Sequence, residues 1–181
     1  MMDRNKIIID SESELKEFFS LLKKLKNKLD LGFLKEFNRS LPFADVLFDR
    51  WERASSLGFG EGTSVYDSSH IFGNVMVGKN TWIGPFTILD GSGGLTIGDN
   101  CSISASVQLY SHDTIKWAVS GGKEQYEYAA TKIGSNCYIA PGCIIAKGVS
   151  LGEGCIVGAN SFVNKSFPNN TKIAGNPAII I

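Results

Sequence analysis

The sequence predicts an all-β protein built as a coil of short strands, and three observations lead to that prediction. The chain has 20 glycines but only five prolines among its 181 residues. From residue 71 an aliphatic side chain recurs every six residues, and the residue after it is usually small. A period of six fits neither a helix nor the alternation of an ordinary strand. It fits a coil that turns once per repeat, since a small residue permits the turn while its aliphatic neighbour points inward.

The repeat occurs thirteen times over more than half of the chain and keeps its phase except at two insertions. Its aliphatic members are Ile71, Val77, Ile83, Leu89, Ile97, Ile103, Leu109, Ile133, Ile139, Ile145, Leu151, Val157 and Val163. Four places after most of them lies a second small or β-branched residue, such as Thr81 or Val149. A glycine-rich β-sandwich is the alternative, but its strands would not hold one phase for thirteen repeats. The phase therefore favours a solenoid.

This pattern resembles the hexapeptide repeat of left-handed parallel β-helix acyltransferases, over residues 71–168. The resemblance implies a single-stranded left-handed parallel β-helix in which three hexapeptides form each triangular coil. On that basis Val77, Ile83 and Leu89 belong to one coil, and the later members of the repeat form three more. Successive coils then lie ~4.8 Å apart, like neighbouring strands of a sheet.

The phase of the repeat breaks twice. Leu89 and Ile97 are eight residues apart, an insertion of two, and Leu109 and Ile133 are 24 apart, an insertion of 18. Both breaks follow the third face of a coil, so we expect them to leave the prism at the same corner. Loops on a rigid scaffold carry function more often than the scaffold does. We therefore expect the chemistry at this corner.

The two ends of the chain lie outside the repeat. Residues 11–29 predict an amphipathic helix with Ser11 and Glu14 as its capping box, and a second helix is expected near Pro42. The expected organisation is a helical cap over residues 1–60, a β-helix over 61–168 with an external loop at 112–130, and a C-terminal tail over 169–181. A helical cap would cover the open strand edges of the first coil.

Composition excludes several classes of function. Lysine plus arginine and aspartate plus glutamate number 18 each, so the chain has no net basic charge for binding nucleic acid or an anionic membrane. No run approaches 18 apolar residues, and the apolar stretch near the N-terminus has only three isoleucines. Neither a membrane span nor a signal peptide is predicted. We expect a cytoplasmic protein.

The four cysteines are expected to remain thiols in that compartment. All of them occupy the small inward position of the repeat, which favours a structural role as small hydrophobic residues. No C-x-x-C spacing occurs, so no zinc site is predicted and no metal is expected to be required.

His112 is the candidate catalytic residue. It lies where the long insertion leaves the coil, and imidazole is a base that is largely neutral near pH 7. The resemblance implies that His112 acts as general base in direct transfer from acetyl-CoA, without an acyl-enzyme. Asp113 either orients the imidazole or stabilises the turn. Asp90, in the shorter insertion, matches an acceptor-binding aspartate of related sugar acetyltransferases. The other histidine, His70, is expected to have no catalytic role.

The resemblance also implies where acetyl-CoA binds, in a groove between two subunits of a homotrimer. The positions of this sequence that match the coenzyme site are Tyr138, Ala140, Gly158, Ala159, Lys165, Asn176 and Pro177. Lys165 is the expected phosphate partner. A basic residue often follows Pro-Ala in the family, but this chain reads Ile179-Ile180-Ile181 there. Lys147 and Lys172 are alternative phosphate partners.

The resemblance is strongest to sugar O-acetyltransferases that decorate lipopolysaccharide or capsule sugars, or that acetylate galactosides and maltose. We therefore expect an acetyl-CoA-dependent O-acetyltransferase acting on a saccharide hydroxyl. The alternative is an N-acetyltransferase of a nucleotide-linked amino sugar. A hexapeptide carbonic anhydrase would need three histidines for zinc, and the chain has two. A non-catalytic scaffold stays open as a third interpretation.

Overall fold

The computed structural model describes residues 13–181, and the chain divides into two compact units between Asp49 and Arg50. The first unit contains helix α1 (Ser13–Phe37) and helix α2 (Phe43–Leu47). The helix predicted over residues 11–29 thus continues to Phe37, and its predicted cap, Ser11, lies outside the described residues. Helix α1 ends where Asn38 adopts a φ of +51°, a left-handed conformation that commonly ends helices.

The second predicted helix is interrupted. Phe48 is extended, with φ −109° and ψ 134°, so α2 stops at Leu47. Helix α3 (Arg50–Ser56) begins after it and belongs to the second unit. The expectation that residues 1–60 cap the first coil stays a prediction. Among the described residues, no helix combines the length and the apolar character needed to cross a bilayer.

The second unit consists mainly of very short strands. They are β1 (Ser64–Val65), β2 (His70–Val77), β3 (Trp82–Ile83), β4 (Ile88–Ile97), β5 (Ser102–Ile103), β6 (Gln108–Leu109), β7 (His112–Asp113), β8 (Glu127–Tyr128), β9 (Thr131–Ile133), β10 (Tyr138–Ile139), β11 (Ile144–Ile145), β12 (Ser150–Leu151), β13 (Ile156–Val157), β14 (Phe162–Val163), β15 (Lys172–Gly175) and β16 (Ala178–Ile180). One short helix, α4 (Ile115–Val119), lies between β7 and β8.

Parallel pairing arranges these strands in three faces. Face A contains β1, β3, β5, β10, β13 and β15, and β16 joins it antiparallel. Face B contains the first halves of β2 and β4 with β6, β11 and β14. Face C contains the second halves of β2 and β4 with β9 and β12. The predicted fold class, a parallel β-helix with an N-terminal helical segment, is confirmed.

Each corner is named here after the two faces that it joins. The A/B corner includes residues 84–87, 104–107, 140–143 and 158–161. The B/C corner includes residues 90–94, 110–130, 146–149 and 164–166. The C/A corner includes residues 78–81, 98–101, 134–137, 152–155 and 168–171.

The register of the strands matches the predicted coils. The aligned residues are Ile83, Ile103, Ile139 and Val157 on face A, Leu89, Leu109, Ile145 and Val163 on face B, and Val77, Ile97, Ile133 and Leu151 on face C. All twelve side chains are buried in one core. Burial of such a side chain stabilises the fold by roughly 1.5–3 kcal/mol. The repeat extends further than predicted, because Val65 aligns with Ile83 and Ile173 aligns with Val157.

The C/A corner repeats one hydrogen bond from coil to coil. In each coil a threonine or cysteine side chain donates to a backbone carbonyl of the following coil. The pairs are Thr63 with Gly78 (2.7 Å), Thr81 with Gly98 (2.9 Å), Cys101 with Gly134 (3.1 Å), Cys137 with Gly152 (3.2 Å) and Cys155 with Pro168 (3.2 Å). The thiols therefore take the place of threonine hydroxyls. All four cysteines are free and buried, which fits their expected structural role.

Candidate active site

Both insertions leave the prism at the B/C corner. The shorter insertion lies within β4, between Leu89 on face B and Leu95 on face C. The longer insertion forms a hairpin in which β7 pairs antiparallel with β8, in the register His112 to Tyr128 and Asp113 to Glu127. Because the two insertions belong to neighbouring coils, their first residues lie side by side, as the phase of the repeat predicted.

Asp90 and His112 form a hydrogen-bonded pair at this corner. The distance between His112 Nδ1 and Asp90 Oδ2 is 2.5 Å. The Asp90 carboxylate also accepts from the amide (3.0 Å) and hydroxyl (2.5 Å) of Ser92 and from the amide of Ser111 (3.0 Å). Asp90 is only 1% exposed, so these donors replace its contact with water.

The hydrogen bonds keep the buried carboxylate ionised. Burial alone would raise the pKa of Asp90, but the hydrogen bonds from Ser92, Ser111 and His112 outweigh it and lower the pKa from its ordinary value of 3.8 to about 2. An ionised carboxylate can only accept, so Nδ1 of His112 carries the hydrogen between them. The lone pair of the neutral imidazole is then on Nε2, the nitrogen that can take a proton.

The imidazole is held on a second side by Tyr128. The two rings stack with their centroids 5.9 Å apart and an interplanar angle of 24°. The His112 side chain is still 30% exposed, so an approaching molecule can reach it. This combination of an oriented, accessible imidazole and a buried carboxylate is suited to general-base chemistry.

Asp113 lies beside the pair but has other partners. Its Oδ1 accepts from the amide of Ile115 (3.1 Å), and its Oδ2 lies 2.9 Å from the ammonium of Lys147. That hydrogen bond lowers the pKa of the Asp113 carboxyl. Of the two roles expected for Asp113, its contacts match the one in the turn. The residue that contacts the imidazole is Asp90, which was expected instead to bind the acceptor.

The comparisons with known proteins agree with this architecture. Residues 130–165 match a family model described as bacterial transferase hexapeptide (six repeats). Over these residues the chain carries the hexapeptide repeat that the family model describes. The resemblance expected from the sequence is confirmed, and the matched residues form the coils that follow the long insertion.

Solved structures with the same fold include several acyltransferases. A maltose O-acetyltransferase from Clostridium difficile is 27% identical, with a TM-score of 0.56 over 89% of this chain and 87% of that one. A hexapeptide-repeat acetyltransferase from Vibrio cholerae, complexed with acetyl coenzyme A, is 23% identical, with a TM-score of 0.53 over 94% and 89%. AntD, an N-acyltransferase from Bacillus cereus in complex with dTDP and 3-hydroxybutyryl-CoA, is 20% identical, with a TM-score of 0.59 over 74% and 89%.

Most of the positions expected to bind the coenzyme lie away from the B/C corner. Ala140, Gly158 and Ala159 are at the A/B corner, and Tyr138 points outward from face A. Asn176 and Pro177 form the turn between β15 and β16. Within one chain these positions and His112 are therefore at different corners.

The three lysines expected near the phosphates of the coenzyme differ in their availability. Lys165 lies at the B/C corner of the last coil, exposed, with its ammonium 5.5 Å from the centre of the Phe167 ring. Lys172 is also exposed, on face A. Lys147 is bound to Asp113 and Glu127 and is the least available of the three. His70 points outward from face B and stacks on Phe72.

Two polar residues of the site, and the ion pairs of Lys147, were not identified from the sequence. Ser92 and Ser111 both donate to Asp90, and Ser111 also accepts from the amide of Gly93 (2.8 Å). The Asp-x-Ser spacing at 90–92 is a local signal, because an aspartate commonly accepts from the amide two residues later. Lys147 gave no local signal, since its partners are 20 and 34 positions away. Among residues 13–181 no cluster of three or more metal-binding side chains occurs.

Proposed function

We propose that this protein transfers an acetyl group from acetyl-CoA to a hydroxyl of a saccharide, with His112 as general base. The observation that carries the proposal is the hydrogen-bonded Asp90–His112 pair at the corner where both insertions meet. The 27% identity with a maltose O-acetyltransferase supports the acceptor class. Decoration of a cell-surface polysaccharide or lipopolysaccharide sugar, in the cytoplasm, is the proposed setting.

The chemistry follows from the geometry of the pair. Asp90 holds the Nδ1–H of His112, and Nε2 accepts the proton of the acceptor hydroxyl as its oxygen attacks the thioester carbonyl. Backbone amides at the corner turns are the proposed donors to the tetrahedral oxyanion. The intermediate then collapses, the C–S bond breaks, and the sulfur of CoA takes the proton back from the imidazolium.

Direct transfer is proposed because the cysteines are poorly placed for an acyl-enzyme. All four are buried, and each thiol donates to a backbone carbonyl. A thiolate nucleophile would have to be exposed and activated by a nearby positive charge. In this proposal the acetyl group therefore passes from CoA to the acceptor without a covalent enzyme intermediate.

The donor is proposed to bind between two copies of the chain in a homotrimer. One copy would supply His112 from its B/C corner, and another would supply Tyr138, Ala140, Gly158, Ala159, Asn176 and Pro177 from face A, the A/B corner and the turn beyond it. The small side chains at that corner leave room for the pantetheine arm to lie against the backbone. Lys165 is the proposed phosphate partner. No metal has a role in this scheme.

We assign Asp90 to orienting the base, in place of binding the acceptor. Its oxygens are already occupied by donors from Ser92, Ser111 and His112, and almost none of its surface is free. Asp113 is proposed to act only through the hairpin that carries His112. The acceptor then meets the exposed edge of the imidazole instead of the buried carboxylate.

The test is acetyl-CoA turnover against saccharides, nucleotide-linked amino sugars and simple amines. His112→Ala should lower kcat by roughly 10² to 10⁴-fold, the usual contribution of a general base. The matched control is His70→Ala, which removes a histidine from the same prism and should turn over like the wild type. Full activity of His112→Ala would overturn the assignment of the base.

The same panel separates the other functions. The same base would serve an amine acceptor, so the geometry of the site is compatible with N-acetylation. Acetylation of amines but not of hydroxyls would therefore favour the N-acetyltransferase. Absence of acetyl-CoA binding and turnover in the wild type would favour a non-catalytic scaffold.

A further inference from the structure

We propose that Lys147 is a positioning residue whose ammonium holds the hairpin carrying His112 closed against the β-helix. The inference rests on the proposed function, because it concerns the same imidazole. Lys147 acts through Asp113 and Glu127 and has no role in the proton transfer itself. This role follows from the ion pairs of its side chain, because the hexapeptide repeat alone does not distinguish Lys147 from other lysines at the corners.

The hairpin is short and contains a repulsive pair. Strands β7 and β8 have two residues each and form two rungs, His112 with Tyr128 and Asp113 with Glu127. The second rung sets two carboxylates directly opposite each other, and like charges in that position destabilise a strand pair. The rung that carries the proposed base is thus next to one that tends to open.

Lys147 compensates for this repulsion. Its Nζ lies 2.9 Å from Asp113 Oδ2 and 3.0 Å from Glu127 Oε2, so one ammonium group is shared between the two carboxylates. The Lys147 side chain is 21% exposed, so water and salt screen these ion pairs less than they screen pairs at a fully exposed site. The pKa of Lys147 is raised by the same two contacts.

Lys147 connects the hairpin of β7 and β8 to the following coil of the β-helix. It belongs to the B/C corner of the following coil, where the amide of Gly148 also donates to the carbonyl of Ala129 (3.1 Å). Lys116 lies 2.7 Å from Glu127 as well, but it is part of helix α4 within the hairpin and is 55% exposed. Lys116 can neutralise Glu127, whereas only Lys147 of these two also fixes the hairpin to the coil.

The expected consequence of losing Lys147 is a hairpin that opens more often. The imidazole would then leave the stacking contact with Tyr128 and the hydrogen bond to Asp90. A displacement of about 1 Å in a reacting group can cost up to 10²-fold in rate. Because the displacement is intermittent here, we expect kcat to fall roughly tenfold, with little change in the KM for acetyl-CoA.

The experiment compares Lys147→Met, Glu127→Gln, the double variant and the control Lys79→Met, which removes an exposed lysine at the C/A corner. Hydrogen–deuterium exchange of residues 112–128 reports opening of the hairpin whether or not the enzyme is active. Lys147→Met should exchange faster there and at no other part of the β-helix. The double variant should recover most of the protection and of kcat, because a neutral amide opposite Asp113 would no longer repel its carboxylate. Lys79→Met should match the wild type.

Two results would overturn the inference. The first is wild-type exchange of the hairpin in Lys147→Met, or a double variant no better protected than the single one. The second is a raised KM for acetyl-CoA in Lys147→Met with unchanged exchange, which would make Lys147 a phosphate ligand. If the wild type turns over no acceptor at all, the proposed function fails, while hydrogen exchange still decides the role of Lys147.

Discussion

The B/C corner and the C/A corner are built from the same repeat but differ in their side chains. At the C/A corner, threonine or cysteine occupies one position in coil after coil, and each makes the same bond to the next coil. At the B/C corner the coils differ in length, and Asp90, Ser111 and His112 converge on one another. Repetition in a solenoid thus marks residues that stabilise it, and the departure from repetition marks the candidate chemistry.

Asp90→Asn should produce the largest effect of the substitutions that separate the two corners. An amide of the same shape no longer holds the Nδ1–H of His112 with a negative charge, so we expect kcat to fall by about 10²-fold or more. The matched control is Asp99→Asn at the C/A corner, because Asp99 Oδ1 accepts from the exposed amide of Lys79 (2.7 Å) and lies at a different corner from the imidazole. The control should keep kcat within about twofold of the wild type. Equal losses in both variants would contradict the contrast between the corners.

Acid should weaken the B/C corner specifically. The pKa of Asp90 is lowered from 3.8 to about 2 in the folded protein, so its ionisation contributes about 2 kcal/mol to stability. Since the folded pKa is the lower one, this contribution is fully present above about pH 4 and disappears as the pH falls through 2. Urea unfolding at pH 7, 4 and 2.5 measures it. The difference in stability between the wild type and Asp90→Asn should shrink with falling pH, and a constant difference would argue against the lowered pKa.

The smallest of these effects is expected at the C/A corner, where stability should change without activity. Cys137→Val replaces the thiol with a methyl group, adds a second methyl group and leaves the carbonyl of Gly152 without its donor, so it should lower the free energy of unfolding by about 1 kcal/mol or more. Cys137→Thr keeps a donor and should be close to the wild type. Measurements of denaturant unfolding and of kcat test this prediction. A loss of activity in either variant would show that the hydrogen-bonding threonines and cysteines of the C/A corner also contribute to activity.

The repeat could be predicted from the sequence because it is local. An aliphatic residue every six positions marks the turns, and the resemblance implies three repeats in each coil. The coils assigned on that basis match the strand pairing. The ends were less predictable. Helix α1 passes through Gly32, and the second helix stops at the extended Phe48, because the boundaries of helices depend on weak local preferences.

The site could be predicted only in part. His112 was identified by its place at the root of the loop, and the position of Asp90 in the neighbouring coil was deduced from the phase. Which aspartate contacts the imidazole was not, because that contact joins side chains 22 residues apart and depends on their directions. The ion pairs of Lys147 are equally non-local.

The insertions of two and of 18 residues at one corner do not disturb the register of the strands on any of the three faces. A longer loop also costs little, since each doubling of a flexible loop adds only about 0.6 kcal/mol of closure entropy. The tip of the hairpin, residues 115–125, is therefore a natural place for grafting. Replacing these residues would change the groups that an acceptor meets near the imidazole. The β-helix that holds the imidazole would stay the same, so the preference for an acceptor could change without a change of fold.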